Sequence, residues 1–397
     1  MKIKFCLLAL VFFTACKKEI KSIGDTKIEV FSSTNIYFDM AFKDGSKKLN
    51  DSILRLDTGR IIVKKVKLPN YNKQAKVTVN ATLTSNGDPW DKSGSLFIIP
   101  KTADLTLLDF ESGDFDIFSL NETYRAVKSI DSLKYEPNVE LIRFMTPFGV
   151  GHFTEDEHVK DRKPPYIPHW ENEVKWSQDI TQLLPLLEDA VYIGVFIDVW
   201  TKEGYTISVD LDFDESEILN HEKKPQTVIS LVNTSRYTNG QKMYDDFSKQ
   251  PLEVDFNANK TYKNAKLHFI TTGHGGHAEG DEFVKKEHQL YLDGENIKTW
   301  IPWRDDCASF RRFNPTSGTW KASEFMENDK SEDMIASSDL SRSNWCPGSQ
   351  VLPEIINLGD LQKGKHSLKI AIPEAQVGTE NENNYWMVSA YIVYDNE

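Results

Sequence analysis

Three acidic residues stand beside aromatic rings along this chain. Asp91 follows Trp90 in Asn86-Gly-Asp-Pro-Trp-Asp91, Asp198 lies in Phe196-Ile-Asp-Val-Trp200, and Glu282 lies in Gly280-Asp-Glu-Phe-Val284. A carboxylate within reach of a reacting group can take or return a proton, and a neighbouring ring offers an apolar face on which a sugar can stack. Taken one at a time, such acids are more often solvated surface groups, and such rings are as often core packing. Asp198 has the least ordinary setting. Strand alternation puts Phe196, Asp198 and Trp200 on one face, so that face is either open to solvent or serves a site.

A second constellation overlaps the third acid. Thr272-Gly-His-Gly-Gly-His-Ala-Glu-Gly280 runs into Glu282, and His274, His277, Glu279 and His288 are residue types that hold zinc or copper. The Gly-rich spacing organises them poorly, so metal-free acid chemistry is the preferred reading and a metalloenzyme the lesser one. No Gly-x-Ser-x-Gly elbow is present, and the few helix signals leave no strand-to-helix loop for phosphate.

The elements that must position these acids are strands. Alternating or β-branched runs occur at 77–83, 96–99, 139–144, 191–197, 206–213, 227–232, 266–271, 366–372 and 386–394, punctuated by Gly, Pro, Asn and Asp. Helical periodicity is scarce, with a short turn near 177–182 the best candidate. Many strands without helices between them imply sandwiches or jelly rolls. A charged break at Asp214-Glu-Ser-Glu-Ile-Leu-Asn-His-Glu-Lys-Lys-Pro225 divides two strand-rich halves, giving an expected domain at 29–218 and another at 219–397. Residues 105–137 read as a long surface excursion of the first, and 304–348 as a loop-rich part of the second.

The 397 residues are 39% hydrophobic and carry a net charge of −13. That length and apolar fraction suffice for more than one core. The acidic balance argues against nucleic acid, which needs clustered Lys and Arg. Met1-Lys-Ile-Lys4, the apolar run Phe5 to Phe13 and Thr14-Ala-Cys16 describe an export signal, too short to span a bilayer, ending at a lipoprotein-type cysteine. Residues 1–16 are thus read as signal with lipidation at Cys16, and 17–28 as a tether. The expected location is the bacterial envelope, the outer membrane in particular, with the membrane engaged through the lipid only. Of four cysteines, Cys307 and Cys346 remain. In an exported protein a disulfide is the default for such a pair, and zinc-spaced His partners for a two-Cys metal site are missing.

Several segments resemble the bacterial peptide-N-glycosidase F family. Trp90-Asp91 before a strand, Met145-Thr-Pro-Phe-Gly-Val-Gly151, Asp179-Ile-Thr, Asp198-Val-Trp200 with Gly204-Tyr-Thr-Ile-Ser-Val-Asp-Leu-Asp212, Gly276-His-Ala278 leading to Glu282, and Arg342-Ser-Asn-Trp-Cys-Pro-Gly348 carry the likeness, the last most specifically. It spans residues 28 to 397. The resemblance implies two adjacent antiparallel eight-stranded jelly rolls with the site at their interface, and a Cys307–Cys346 disulfide. It implies hydrolysis of the amide between asparagine and the first N-acetylglucosamine of N-glycoproteins or N-glycopeptides, without a cofactor; a monomer is expected. Carried over by position, Asp91 is the main catalytic residue, Glu282 meets the asparagine side, and Asp198 orders water between the acids. Arg342 holds an acid or a substrate oxygen. Trp90, Trp200, Lys92, Phe283 and His277 complete the expected substrate contacts. Three departures stand out. The family's second acid is a Glu where this chain has Asp198, its Arg after Trp-Asp is Lys92, and the cysteines bracketing the first and third acids of its best-known member are missing, with Gly280 and Val284 around Glu282. The shorter Asp198 keeps a lipid-anchored glycan-binding protein without catalysis as the alternative.

Overall fold

The computed structural model describes residues 23–42, 47–48, 52–71, 75–112, 128–129, 134–149, 169–215, 225–235, 246–275, 280–315, 317, 319–321, 334–378 and 384–396. The export signal, Cys16 and most of the tether lie outside the described residues. No helix among the described residues is long and apolar enough to cross a membrane.

The fold is all-β, in two domains. In the first, a four-stranded sheet runs Thr26–Ile36, Tyr205–Asp214, Lys76–Ser85 and Val174–Asp179 in spatial order. A seven-stranded sheet faces it, with central strands Val139–Met145, Ser93–Ile99, Ala190–Ile197 and Ile61–Lys67. Each nominated strand run falls within an observed strand, the 366–372 run up to Ala371. Lys76–Ser85 and Tyr205–Asp214 alternate strictly between buried and half-buried positions. That is the pattern of a sheet with one covered face. Their inward residues, such as Val77, Val79, Ile207 and Val209, share one core with Leu96, Ile98, Ile193 and Val195 of the facing sheet. Ser93–Ile99 and Val139–Met145 are buried at every position instead. Their second face is covered too, in part by the other domain.

The second domain repeats the plan. One sheet orders Gln226–Asn233, Tyr385–Asp395, Tyr262–His274 and Glu354–Leu361; the other orders Leu252–Ala258, Gly364–Ala371, His288–Leu292 and Glu295–Trp300. They enclose a core that includes Leu267, Phe269, Leu368, Trp386 and Val388. The expected break between domains falls mostly on residues 216–224, outside those described. The helical turn is displaced from its expected place. Residues 177–179 belong to the strand Val174–Asp179, and a 3-10 turn follows at Thr181–Leu186. Asp179 Oδ1 accepts from the Thr181 N–H at 2.9 Å, so the cap-like acid ends the strand and starts the turn. Of the 105–137 excursion, the described part includes a helix at Leu107–Ser112 and a Leu105–Tyr135 bridge.

The domains are stitched together by polar and apolar contacts. Gln350–Val351 of the second pairs with Val139–Met145 of the first. Met145, Ile270, Trp345 and Val351 form a small apolar cluster across the seam, and Trp176 donates its indole N–H to the Gly348 carbonyl at 3.0 Å. At the centre, Arg143 and Glu140 form a wholly buried ion pair at 2.8 Å. The Arg143 Nη1 donates to Thr272 Oγ1 at 3.1 Å and to the Met387 carbonyl at 2.9 Å, and Glu140 accepts from Ser235 and Ser389 hydroxyls, each at 3.1 Å. A register shift permits the pairing. Leu96 faces Ile142 but Phe97 faces Glu140, which leaves Leu141 as an extra residue. Without that bulge, residues 140 and 143 would point to opposite faces.

Cys307 and Cys346 are joined in a disulfide. With a separation of 39 residues, closing that loop stabilises by about 4 kcal/mol on the chain-entropy model. Cys307 opens the 3-10 segment Cys307–Phe313, and Cys346 follows Trp345 in the stretch that carries Arg342.

Candidate active site

Asp91 lies in the irregular loop 86–92, between strands Lys76–Ser85 and Ser93–Ile99. Glu282 sits in a tight turn after strand Tyr262–His274. That turn is closed by Phe283 and Val284 N–H groups donating to the Gly280 carbonyl at 3.1 and 3.2 Å. The Glu282 N–H donates to Gly275 O at 3.2 Å and its carbonyl accepts from Ser343 N at 2.9 Å. Buried Asp281 anchors the same turn by accepting from the Gln376 N–H at 3.0 Å. Gly273 beneath it has no room for a side chain. A Cβ there would lie 2.5 Å from the Asp281 carbonyl oxygen and 2.7 Å from the Trp386 ring.

Arg342 brings the two acids together. Its guanidinium is 1% exposed, its Nε donates to Glu282 Oε1 at 2.8 Å, and its Nη2 lies 3.7 Å from Asp91 Oδ2. The remaining face is fixed by the Leu340 carbonyl at 2.9 Å and by the rings of Phe283 and Trp345, whose centres lie 5.1 and 4.9 Å away. One acid thus comes from each domain, with the cation between them. Of the two acids, Glu282 is the one that Arg342 contacts directly.

Burial raises the Asp91 carboxyl to about 7, against the pull of Arg342 and Lys92 and with a push from Glu282. A partly withdrawn carboxyl beside another acid is the usual source of such a rise. Its side chain retains 16% exposure, so it is open enough to meet a substrate while losing much of its hydration.

The strand ends at Ile197, so Asp198 lies one residue beyond it, while Val195, Ile197 and Val199 go on alternating into the core, which leaves Asp198 on the opposite side of the chain with Phe196 and Trp200. Phe196 is buried in a small cluster with Phe97 and Leu56, while Trp200 is 49% exposed. The Asp198 N–H donates to Ser93 O at 3.0 Å, which ties this acid to the strand that Asp91 precedes. Its carboxylate accepts from Arg60 Nη1 at 3.0 Å, and Arg60 is also paired with buried Asp57 at 2.7 Å. The Arg60 guanidinium covers the Trp200 ring at 4.4 Å. The turn supplying this pair is strained: Asp57 and Thr58 have φ of +45° and +55°, a left-handed conformation that costs about 1 kcal/mol or more per non-glycine residue. Gly59 follows because a Cβ there would meet the Tyr37 carbonyl oxygen at 2.3 Å.

Trp90 is 58% exposed, and Lys92 and Phe283 are half-buried. These three with Trp200 are therefore open to varying degrees around the acids. His277 and Glu279 lie outside the described residues. His274 and His288 are core histidines. Burial pushes both down to about 3. His274 is stacked against Trp345 and Tyr385, His288 packs against Trp300 and Trp386, and each bonds a threonine hydroxyl. No His, Cys, Asp and Glu grouping among the described residues could hold a metal ion.

A groove of about 610 Å³ opens on the seam near Arg342, lined by residues including Lys175, Trp176, Arg304, Phe310, Phe313 and Leu352. Backbone bonds of 2.8 and 2.9 Å between Arg304 and Arg342 link its wall to the acid pair.

Sequence reasoning missed Arg60, Asp57, Glu140 and Arg143. For the last two a signal existed, since two charges interrupt an otherwise apolar strand run. Arg60 offered none, because its partner Asp198 is more than a hundred residues away, and Asp57 enters only through Arg60.

Comparison with known proteins fits this geometry. Residues 27–213 match the family model for the N-terminal part of peptide-N-glycosidase F, and residues 242–393 match the model for its C-terminal part. Among solved structures, that of PNGF-II is similar at 36% identity with a TM-score of 0.80, covering 94% of this chain. This chain spans 65% of the length of PNGF-II. PNGase F, a glycosylasparaginase from Flavobacterium meningosepticum, shares the fold at 13% identity and a TM-score of 0.57, with 94% of this chain and 96% of that one covered. No curated protein matches at a significant level.

Proposed function

The chain belongs to the peptide-N-glycosidase F family, and on that premise we propose that it is a peptide-N4-(N-acetyl-β-glucosaminyl)asparagine amidase. It hydrolyses the side-chain amide of glycosylated asparagine in N-glycoproteins or N-glycopeptides. The observation carrying this reading is Arg342 lodged between Glu282 and Asp91, one acid from each domain, at 2.8 and 3.7 Å.

In the reaction, a water oxygen bonds to the amide carbon and the carbon–nitrogen bond breaks. One water proton ends on the departing nitrogen, so the products are aspartate and a glycosylamine. Asp91, raised to about 7, is present in both protonation states near neutral pH. It is therefore suited to take the proton from water and return it to nitrogen. Glu282, held by the Arg342 Nε–H, orients the amide from the peptide side. Asp198, fixed by Arg60, orders the attacking water. Trp90 and Trp200, both substantially exposed, offer apolar faces to the first sugars.

The test is mass spectrometry of a denatured N-glycopeptide incubated with the purified protein. Loss of the whole glycan with conversion of Asn to Asp is expected. A second reading, glycan binding without cleavage, is favoured by one observation: the short Asp198 carboxylate is already occupied by Arg60. Retention of intact glycopeptide on the immobilised protein would establish that reading and overturn the amidase.

The same proposal places the protein outside the cytoplasm on an acylated Cys16. Incorporation of labelled palmitate that disappears in Cys16→Ser is expected, and equal labelling of both would refute it.

A further inference from the structure

No sheet ladder fixes Asp91, because it lies in a loop. Two hydroxyl side chains, both fully buried, surround its backbone: Thr146 and Tyr205. The Lys92 N–H, immediately after Asp91, donates to Thr146 Oγ1 at 2.7 Å. The Tyr205 hydroxyl donates to the Trp90 carbonyl, immediately before Asp91, at 2.8 Å. Thr146 Oγ1 lies 3.1 Å from Tyr205 Oη and 3.1 Å from the Trp90 carbonyl. The Thr146 N–H closes the ring by donating to the Lys92 carbonyl at 2.8 Å. Every donor finds an acceptor in the run Lys92 N–H, Thr146 O–H, Tyr205 O–H, Trp90 C=O. Such chains reinforce one another in a dry interior.

We infer that Thr146 and Tyr205 are positioning residues for Asp91, clamping the peptide groups on both sides of it so that its carboxyl is held toward Arg342. The clamp also reaches the other acid of the first domain. Buried Asp88 accepts from the Trp90 N–H at 3.0 Å and from the Thr201 hydroxyl at 3.1 Å, three residues beyond Asp198. Tyr205 is suited to be a permanent donor, since burial raises its phenol well above the ordinary value. Part of the proposal, the link to turnover, rests on the amidase reading.

The discriminating variant is Thr146→Val, which keeps shape and removes the hydroxyl. Loss of orientation at this scale is expected to lower kcat by roughly 10–100-fold. KM should stay within about twofold, as for an interaction not used in ground-state binding. Thr146→Ser, which restores the hydroxyl, should recover most of the rate. Thr234→Val serves as control, because Thr234 makes an analogous buried hydroxyl bridge to Trp386 O and Val388 N in the second domain at 3.1 and 2.7 Å. It should lower stability without lowering kcat of the folded fraction. A Thr146→Val protein with unchanged kcat, or a Ser variant as impaired as Val, would overturn the clamp. Should the native protein release no glycan, the amidase reading falls and the clamp is judged by the 13C NMR titration of the Asp91 carboxyl. That carboxyl faces Arg342, Glu282 and Lys92. A midpoint that moves in Thr146→Val but not in Thr234→Val supports the clamp, and identical titrations refute it.

Discussion

Replacing Asp91 with Asn is expected to reduce glycan release by roughly 10²–10⁴-fold, the range for a positioned acid–base group, and to make the protein more stable at pH 8. The second effect follows from the sign of the shift. The Asp91 carboxyl has its ordinary value, 3.8, unfolded and about 7 folded. The folded state therefore holds this proton more tightly. Its favourable contribution is complete below about pH 4, shrinks as pH rises, and is lost above about pH 7. The difference between the two values corresponds to about 4 kcal/mol as a ceiling. Asn cannot ionise, so the variant escapes that penalty. Its Tm should match the native protein near pH 4 and exceed it at pH 8. The native rate profile should bend near pH 7, and the residual rate of Asp91→Asn should not. A fully active variant would remove Asp91 from the mechanism; one less stable at pH 8 than at pH 4, relative to the native protein, would contradict the buried-acid argument.

Much of the fold and part of the site are legible in the residues alone. Alternation in Val77-Thr-Val-Asn-Ala-Thr-Leu83 and its counterparts is a local property, and local properties survive folding. Trp90-Asp91, Glu282 and Arg342-Ser-Asn-Trp-Cys-Pro-Gly348 stand out through their resemblance to segments of the family. The disulfide follows from the expectation of export, which leaves two cysteines to pair. Asp198 stands one residue past the end of its strand at Ile197, because strand periodicity does not say where a ladder ends. What stays invisible is pairing at a distance. Arg60 meets Asp198, and Tyr205 meets Trp90, only after sheets have assembled. Glu140 and Arg143 required a bulge, and an extra residue in a strand leaves no mark on composition.

Glu140→Leu is the substitution expected to cost most stability. It leaves Arg143 charged and fully buried, with only the neutral Thr272, Ser235 and Met387 acceptors. Breaking a buried pair from one side costs about 3–5 kcal/mol. The double variant Glu140→Leu with Arg143→Met removes both charges and should regain most of that loss, since an apolar pair of similar volume needs no partner. Urea midpoints of the native, single and double variants measure this. A single variant within about 1 kcal/mol of native, the range of an exposed pair, would show that the seam does not depend on the ion pair.

Because Asp91 and Arg342 belong to different domains, and only 3.7 Å separates their charged groups, turnover reports on the seam more sharply than any spectrum does. On the amidase reading, mild denaturant that loosens the contact while each sandwich keeps its strands is expected to silence turnover first. Loss of activity should then precede loss of far-UV ellipticity and reverse on dilution. An activity that falls in step with the ellipticity would instead show that the seam and the sandwiches come apart together.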